Sequence, residues 1–439
     1  MHLATRLSVP ALCLSALTVH ADTLTVCLDG TCDFTDIQAA IDAASEGDVL
    51  QISGETYLLE ATLDIAGKKL TLRGMVDDQD RPTTRLDGQT LHRVVQCVDG
   101  EGPDTVFEHL VFQNGWAAAT AYSSDEEYVT GGAALISGSS PSFAQCIFTG
   151  NTATVDESEE YPWSAGGAVM SYFSSATFTD CTFTNNSADL GGAVFSGRSS
   201  NTFTDCTFEN NAGGNQGGAL DTSYSQTTLN RCTMRNNSAP YGGAMSNWLG
   251  TPTLEGCTLT DNSADYGGGM HNRMSSVSAP PTLSDCTFRN NSAAVEGGGM
   301  HNSGSGSPTL TNCTLTNNSA GDDGGAMYNA GSSPSFSDST ICDNTPNQVT
   351  GNFFDEYGNC IADSCRENCL PDPCPADLDG DAVVGAGDLT ELLARWGCIV
   401  DPPGFDCAEA DLNEDGTVDG ADLTVLLSSW GACQSRPPG

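Results

Sequence analysis

The sequence predicts a mainly β chain, a parallel β-solenoid with a small α-helical unit at its C-terminal end. Three observations predict it. Cysteines at 146, 181, 206, 232, 257, 286, 313 and 342 recur at intervals of 35, 25, 26, 25, 29, 27 and 29, and Gly-Gly pairs beginning at 131, 166, 191, 217, 242, 267, 297 and 324 keep the same rhythm. Between these markers lie short Thr-rich apolar segments with Gly and Asn at the corners and no i, i+3, i+4, i+7 pattern, as expected of one solenoid coil rather than a helical repeat. The tail drops the repeat and carries two Asp-rich loops, each leading into a helical face.

In chain order, residues 1–21 read as a secretory signal peptide: one charge at Arg6, an apolar stretch from Val9 to Leu17, and small residues at Val19 and Ala21 before the cleavage point. Removal of Cys13 with it leaves 19 − 1 = 18 cysteines, an even number that permits complete pairing in an oxidising compartment. The stretch after Asp33 reads as a short amphipathic helix with Ile37, Ala40, Ile41 and Ala44 on one face, suited to capping the open end of a solenoid.

The solenoid is expected over residues 22–350, with roughly twelve coils. Coils stacked at roughly 4.8 Å bring equivalent residues into ladders. Asn186, Asn211, Asn237, Asn262, Asn291 and Asn318 form one such ladder, and Gly-Gly supplies positive backbone dihedrals at another corner. The cysteine column fits either disulfides or close-packed free thiols. Past the Gly-Gly corner, Leu220, Met245, Met270, Met300 and Met327 form an inward row, and Asp221, Ser246, His271, His301 and Tyr328 the neighbouring outward row. Asp221, Trp248, His271, His301 and Tyr328, with Asn272 and Asn302 beside the histidines, are a candidate strip for sugar contact or a metal pair, or an exposed polar ladder without chemistry. Acidic insertions at 125–127 and 156–160 are candidate calcium or ligand lips.

Residues 351–375 form a Cys- and Pro-rich linker, its cysteines at 360, 365, 369 and 374 lacking Cys-x2-Cys pairs and so pointing to disulfides rather than zinc. Residues 376–434 hold two loops starting at Asp377 and Asp411. Oxygen ligands stand at alternate positions: Asp377, Asp379, Asp381 and Asp388, then Asp411, Asn413, Asp415 and Asp422, with the carbonyls of Val383 and Thr417 at position 7. That pattern suits calcium, a hard ion wanting six to eight oxygens, and predicts about two ions. Position 6 is Gly416 in the second loop but Ala382 in the first, so the second site should be tighter. Leu389, Leu392, Leu393 and Trp396 match Leu423, Leu426, Leu427 and Trp430, predicting two helices packed through these faces.

The two-loop tail, with Asp at position 12, resembles a dockerin domain over about Cys374 to Cys433. The resemblance implies two calcium ions and docking onto a cohesin-like or cell-surface protein. The solenoid resembles the right-handed parallel β-helix, pectin-lyase-like superfamily, and its Phe-x-x-Asn units at 148–151, 183–186 and 288–291 are similar to Pmp-like adhesin repeats. That superfamily includes polysaccharide lyases and hydrolases, so fold alone leaves function open.

The sequence shows no lyase or hydrolase set. Arg198, Arg231, Arg235, Arg273 and Arg289 lie in no recognisable lyase motif, and Asp322 and Asp323 are the only adjacent Asp pair in the repeats. With 57 acidic against 15 basic side chains, a formal charge of −42 excludes nucleic-acid binding through a basic patch. No second apolar run is long enough to span a bilayer. The expected function is therefore a secreted or cell-surface β-helix, non-catalytic, binding glycans or proteins and attached through its calcium-dependent tail. The alternative is a polysaccharide lyase or hydrolase targeted by that tail.

Overall fold

The structure, a computed structural model, describes residues 21–119, 130–155, 163–274, 280–365, 376, 378, 383–398, 410–413 and 416–432. Residues 1–20 of the expected signal peptide (1–21), the two acidic insertions, and Asp377, Asp379, Asp381, Ala382 and Asp415 lie outside the described residues.

Three long parallel sheets run the length of the solenoid: thirteen strands from Thr23–Val26 to Phe354–Asp355, twelve from Thr56–Leu58 to Cys360–Ala362, and eleven from Leu63–Asp64 to Val349–Thr350. Each coil contributes one short strand to each, paired residue for residue with the coils on either side. Thr202, for example, sits between Thr177 and Thr228. Shorter strips, from Trp116–Ala119 to Ala212–Gln216 and from Ser263–Tyr266 to Ser319–Ala320, flank the third sheet. The sheets continue past residue 350, so the first part of the expected linker instead supplies the last coil.

In strands of the first two sheets, such as Val49–Ile52, Ser142–Ala144 and Ile147–Thr149, alternation buries every second residue, whereas third-sheet strands such as Leu220–Ser223 bury three in a row. Phe107, Phe143, Phe178 and Phe203 stack at 4.7, 4.9 and 4.8 Å, and Phe112, Phe148, Phe183 and Phe208 at 4.8, 4.8 and 4.7 Å. Leucines and methionines continue these columns toward the C-terminal end, and the predicted row Leu220, Met245, Met270, Met300, Met327 is fully buried and in register.

The asparagine ladder forms as predicted and extends to Asn151 and Asn344 at its ends. Each side-chain amide donates to the carboxamide oxygen one coil on, as Asn211 Nδ2 does to Asn237 Oδ1 at 3.0 Å, and to a backbone carbonyl, here Phe183 O at 3.0 Å. Its oxygen in turn receives the backbone N–H of the preceding coil's asparagine. The residue before it, such as Asn185, Asn210 or Asn236, takes a left-handed conformation that asparagine tolerates better than most residues. At the Gly-Gly corner the two glycines have separate reasons. The first has positive φ, +62° at Gly217; a Cβ on the second, Gly218, would collide with the carbonyl of Gly243 on the next coil.

The cysteine column is a stack of free, buried thiols from Cys146 to Cys313, and Cys97 is free as well, so complete pairing does not hold. Each sulfur lies within reach of two backbone carbonyls, as Cys206 does of Phe178 O and Thr204 O at 3.4 Å, and burial pushes the Cys181 thiol well above its usual range. Cys342 leaves the column to pair with Cys365, and Cys27 pairs with Cys32.

At the N-terminal end, helix α1 (Ile37–Ala43) buries Ile37, Ala40 and Ile41 over the first coils. Asp36 caps its start by accepting the Ala39 N–H at 2.7 Å. Lys68 closes its end, donating to the carbonyls of Ile41, Asp42 and Ala44 at 2.7, 2.8 and 3.1 Å.

In the tail, helices α2 (Ala386–Ala394) and α3 (Gly420–Ser428) contact each other around Ala376, Val384, Leu392, Ala410, Val418 and Leu426. The predicted packing faces are only half used. Leu392 and Leu426 are buried and Leu389 and Leu423 partly so, but Leu393, Trp396, Leu427 and Trp430 are 46–52% exposed. Nine-residue helices meeting over so small a core cannot cover a full stripe each.

Candidate ligand-binding groove

The outer face of the third sheet carries the candidate strip. Strands Leu220–Ser223, Met245–Trp248, Met270–Met274, Met300–Gly304 and Met327–Ala330 align Asp221, Ser246, His271, His301 and Tyr328 in one row. Two positions on, Ser223, Trp248, Arg273, Ser303 and Ala330 form a second row on the same face. Asn272 and Asn302, placed beside the histidines in sequence, point the other way. They share the parity of Met270 and Met300 and form a second internal amide ladder, Asn247 to Asn272 to Asn302 to Asn329, at 3.2, 2.9 and 2.9 Å.

The first row is not an exposed polar ladder. Asp221 is 2% exposed, Ser246 1%, and His271 and His301 7% each. In two successive coils the residue just before the Gly-Gly pair packs against the row: Tyr241 on His271 at 5.2 Å and Tyr266, at the end of its flanking strand, on His301 at 5.5 Å, the tyrosines themselves stacking at 5.3 Å. Below them His271, His301 and Tyr328 stack at 5.1 and 5.4 Å.

Two cavities open along this face. One, of about 440 Å³, is lined by Trp163, Tyr172, Arg198, Asp221, Tyr224 and Trp248 among others; the second, of about 460 Å³, by Tyr241, Trp248, Tyr266, His271, Arg273 and His301. They share Asn215, Gln216 and Trp248, and so form two halves of one groove. Beyond Asp221 the floor becomes apolar at Phe195, Met170 and Leu135.

Burial raises the Asp221 carboxyl to about 7, offset in part by a hydrogen bond from Ser246. Burial lowers His271 to about 3, with the neighbouring His301 and Arg273 adding to the effect, and burial lowers His301 against the pull of Glu296, whose Oε2 is 3.4 Å from its Nε2. Both imidazoles are therefore neutral at ordinary pH. Asp221 Oδ2, His271 Nδ1 and His301 Nδ1 have no hydrogen-bond partner, three of only five such buried side-chain atoms among the described residues. Two cations face the groove: Arg198 lies over Phe173 and Tyr224 at 5.5 and 6.0 Å, and Arg273 over Trp248 at 4.4 Å.

The histidines do not form a three-ligand metal site. Among the described residues the one group of three candidate ligands in range is Cys342, Asp343 and Cys365, whose two sulfurs are joined as a disulfide. Sequence reasoning missed Trp163, Tyr172, Tyr224, Tyr241 and Tyr266 and placed Arg198 and Arg273 in no site. For Tyr172 and Arg273 the signal was parity, two residues beyond the row; the tyrosines at 241 and 266 stand directly before Gly-Gly in successive coils.

The chain matches the family described as "Right handed beta helix region" over residues 109–279 and 166–341, together more than half its length. It belongs to that family. No curated protein matches it. Among solved structures this β-helix chain is similar to a pectin methylesterase from carrot, at 12% identity over 79% of this chain and 85% of that one, TM-score 0.32. It is also similar to the catalytic unit of a thermostable GH87 alpha-1,3-glucanase from Streptomyces thermodiastaticus strain HF3-3, at 13% identity over 74% and 65%, TM-score 0.32. Both likenesses are remote.

The calcium candidates are only partly described. In the second loop, Asp411 Oδ2 accepts the Gly416 N–H at 2.8 Å, and Asp422 accepts N–H groups of Asn413 and Asp419 at 3.1 and 2.7 Å. Gly416 has φ +86°, the left-handed turn expected at position 6. In the first loop Asp388, fully buried like Asp422, accepts the Gly385 N–H at 2.6 Å, and Val383 pairs with Ala432 in a short antiparallel ladder. With Thr417 on the second loop, the described candidates are oxygen donors, the type a hard cation takes.

Proposed function

We propose that this chain is an extracellular β-helix protein that binds a polysaccharide or glycan in the groove over the Asp221 to Tyr328 row. One observation carries the reading: a long groove whose rim is aromatic, at Trp163, Tyr172, Tyr224 and Trp248, and whose floor is buried, polar from Asp221 to His301 and apolar beyond Asp221. Flat rings offer apolar faces to sugar rings, and a few fixed polar groups set orientation. The tail is the attachment device in this reading. It holds calcium through Asp377, Asp379, Asp381, Val383 and Asp388, and through Asp411, Asn413, Asp415, Thr417 and Asp422. It then docks onto a cohesin-like or cell-surface protein, and the half-exposed Leu393, Trp396, Leu427 and Trp430 supply an apolar surface for such a partner.

A second reading, a polysaccharide lyase or hydrolase, is favoured by one feature, the carboxyl of Asp221 held near neutrality inside the groove. A hydrolase would need a second carboxylate at a defined separation. Affinity electrophoresis of the full chain through gels containing soluble polysaccharides tests the first reading. Retention that weakens in Trp248→Ala supports it, and free migration in every gel ends it. Release of reducing ends or unsaturated products with turnover would put the second in its place.

A further inference from the structure

The groove's charges distinguish one class of saccharide from another, an inference that rests on the glycan-binding reading above. The charged and titratable groups lining it are Asp221 from the third sheet, Arg198 and Arg273 at the rim, the neutral His271 and His301, and Tyr172, Tyr224, Tyr241 and Tyr266; Glu296 and Tyr328 lie against His301 outside that lining. Two guanidinium groups thus line the groove with one carboxyl, that of Asp221, and Glu296 stands beside His301, in a chain whose overall charge is −42. Both arginines are held on aromatic faces, Arg273 only 4.4 Å above Trp248, and Glu296 is engaged with His301.

The floor meanwhile holds Asp221, His271 and His301, each more than nine-tenths buried and each with one polar atom lacking a partner. Such groups call for ligand or water atoms that both donate and accept. A half-turn of an imidazole exchanges Nδ1 and Cδ2 without changing its shape, so each histidine can offer either edge. A sugar hydroxyl meets that need without adding charge. A carboxylate or sulfate would add charge to a strongly anionic molecule, beside a carboxyl that burial already disfavours ionising.

We propose that the groove takes an uncharged saccharide chain lying along the solenoid axis, its rings against Tyr172, Tyr224 and Trp248 and its hydroxyls completing the polar groups of Asp221, His271 and His301.

The test is calorimetric titration of the full chain with neutral gluco-, manno-, xylo- and galacto-oligosaccharides and with oligogalacturonate, oligoalginate and sulfated oligosaccharides of matched length, at low and moderate salt. At least one neutral chain should bind about tenfold or more tightly than any anionic one, with Trp248→Ala, at the half-buried rim, weakening it about tenfold. His271→Ala should weaken it about tenfold with the far-ultraviolet spectrum unchanged. Tighter binding of an anionic chain, lost in Arg198→Gln or Arg273→Gln, overturns the inference and leaves the glycan-binding reading standing. Binding of no saccharide overturns both.

Discussion

Asp221 and His271 sit two coils apart on one buried row, and burial acts on them in opposite directions. The Asp221 carboxyl is raised from 3.8 to about 7, so its contribution to stability is complete at low pH and is lost as pH rises through that interval. His271 is lowered from 6.5 to about 3, so its contribution is present above 6.5 and is lost as pH falls. Each is worth on the order of 4 kcal/mol, and within the acid-to-neutral range they oppose each other. In the unmodified chain the slopes partly cancel. Asp221→Asn should leave a melting temperature that climbs as pH is raised from about 4 to neutrality, and His271→Asn one that falls over the same range. Parallel melting profiles for the two variants and the parent would refute the opposed contributions.

Parity explains how much of this row was legible. Alternation from Met270 and Met300 put His271 and His301 on the outer face, and the strand register confirms it. The same alternation assigns Asn272 and Asn302 to the inside, where they form a ladder rather than part of the strip. Sequence parity separates inner from outer, but it cannot report that a tyrosine just before the Gly-Gly pair covers the outer face. That cover changes an exposed strip into a groove floor.

At the scale of the coil, the asparagine ladder is the repeated polar device of the interior. Asn237 illustrates its connectivity: its oxygen accepts from the backbone and side chain of Asn211, and its amide donates to Phe208 O and Asn262 Oδ1. Asn237→Ala would orphan buried groups on both neighbouring coils, at about 1–3 kcal/mol each, for a total of roughly 3 kcal/mol or more. Denaturant titration should show that loss, while Asn236→Ala or Asn236→Gly, at the exposed corner beside it, should separate conformational strain from lost hydrogen bonds, the glycine being the milder change. Equal stability of Asn237→Ala and the parent would refute the ladder's role. The ladder was legible because its spacing follows the Gly-Gly corners. The state of the cysteines was not, since a column near disulfide distance serves packing and cross-linking equally well; only the two carbonyls beside each sulfur and the absence of sulfur–sulfur bonds distinguish them.

At the scale of the whole molecule, the solenoid and the tail are stabilised by different means. The solenoid has a continuous core of phenylalanine, leucine and methionine columns, whereas the described residues of the tail include six fully buried apolar side chains. So small a core is commonly completed by metal or disulfides. Calcium should therefore raise the tail's melting temperature and leave the solenoid's unchanged, with about two ions bound, the second loop more tightly. Scanning calorimetry with and without chelator, on the parent and on Asp422→Asn, checks this; a tail transition indifferent to calcium would count against the two-loop metal assignment. Among the described residues no helix is long and apolar enough to cross a membrane.

The Gly-Gly corner and the asparagine column together have an evolutionary consequence. Cysteine intervals between coils range from 25 to 35 residues, yet every coil from Asn151 to Asn344 returns its amide to the same column. Extra residues are accommodated between the repeated contacts of the coil, while a slip of one position within a strand would turn its buried side chains outward. Genetic change in such a chain is thus quantised: whole coils can be copied or deleted and turns can drift in length, so the groove can lengthen or shorten in steps of one strand spacing while its interior rule is inherited intact.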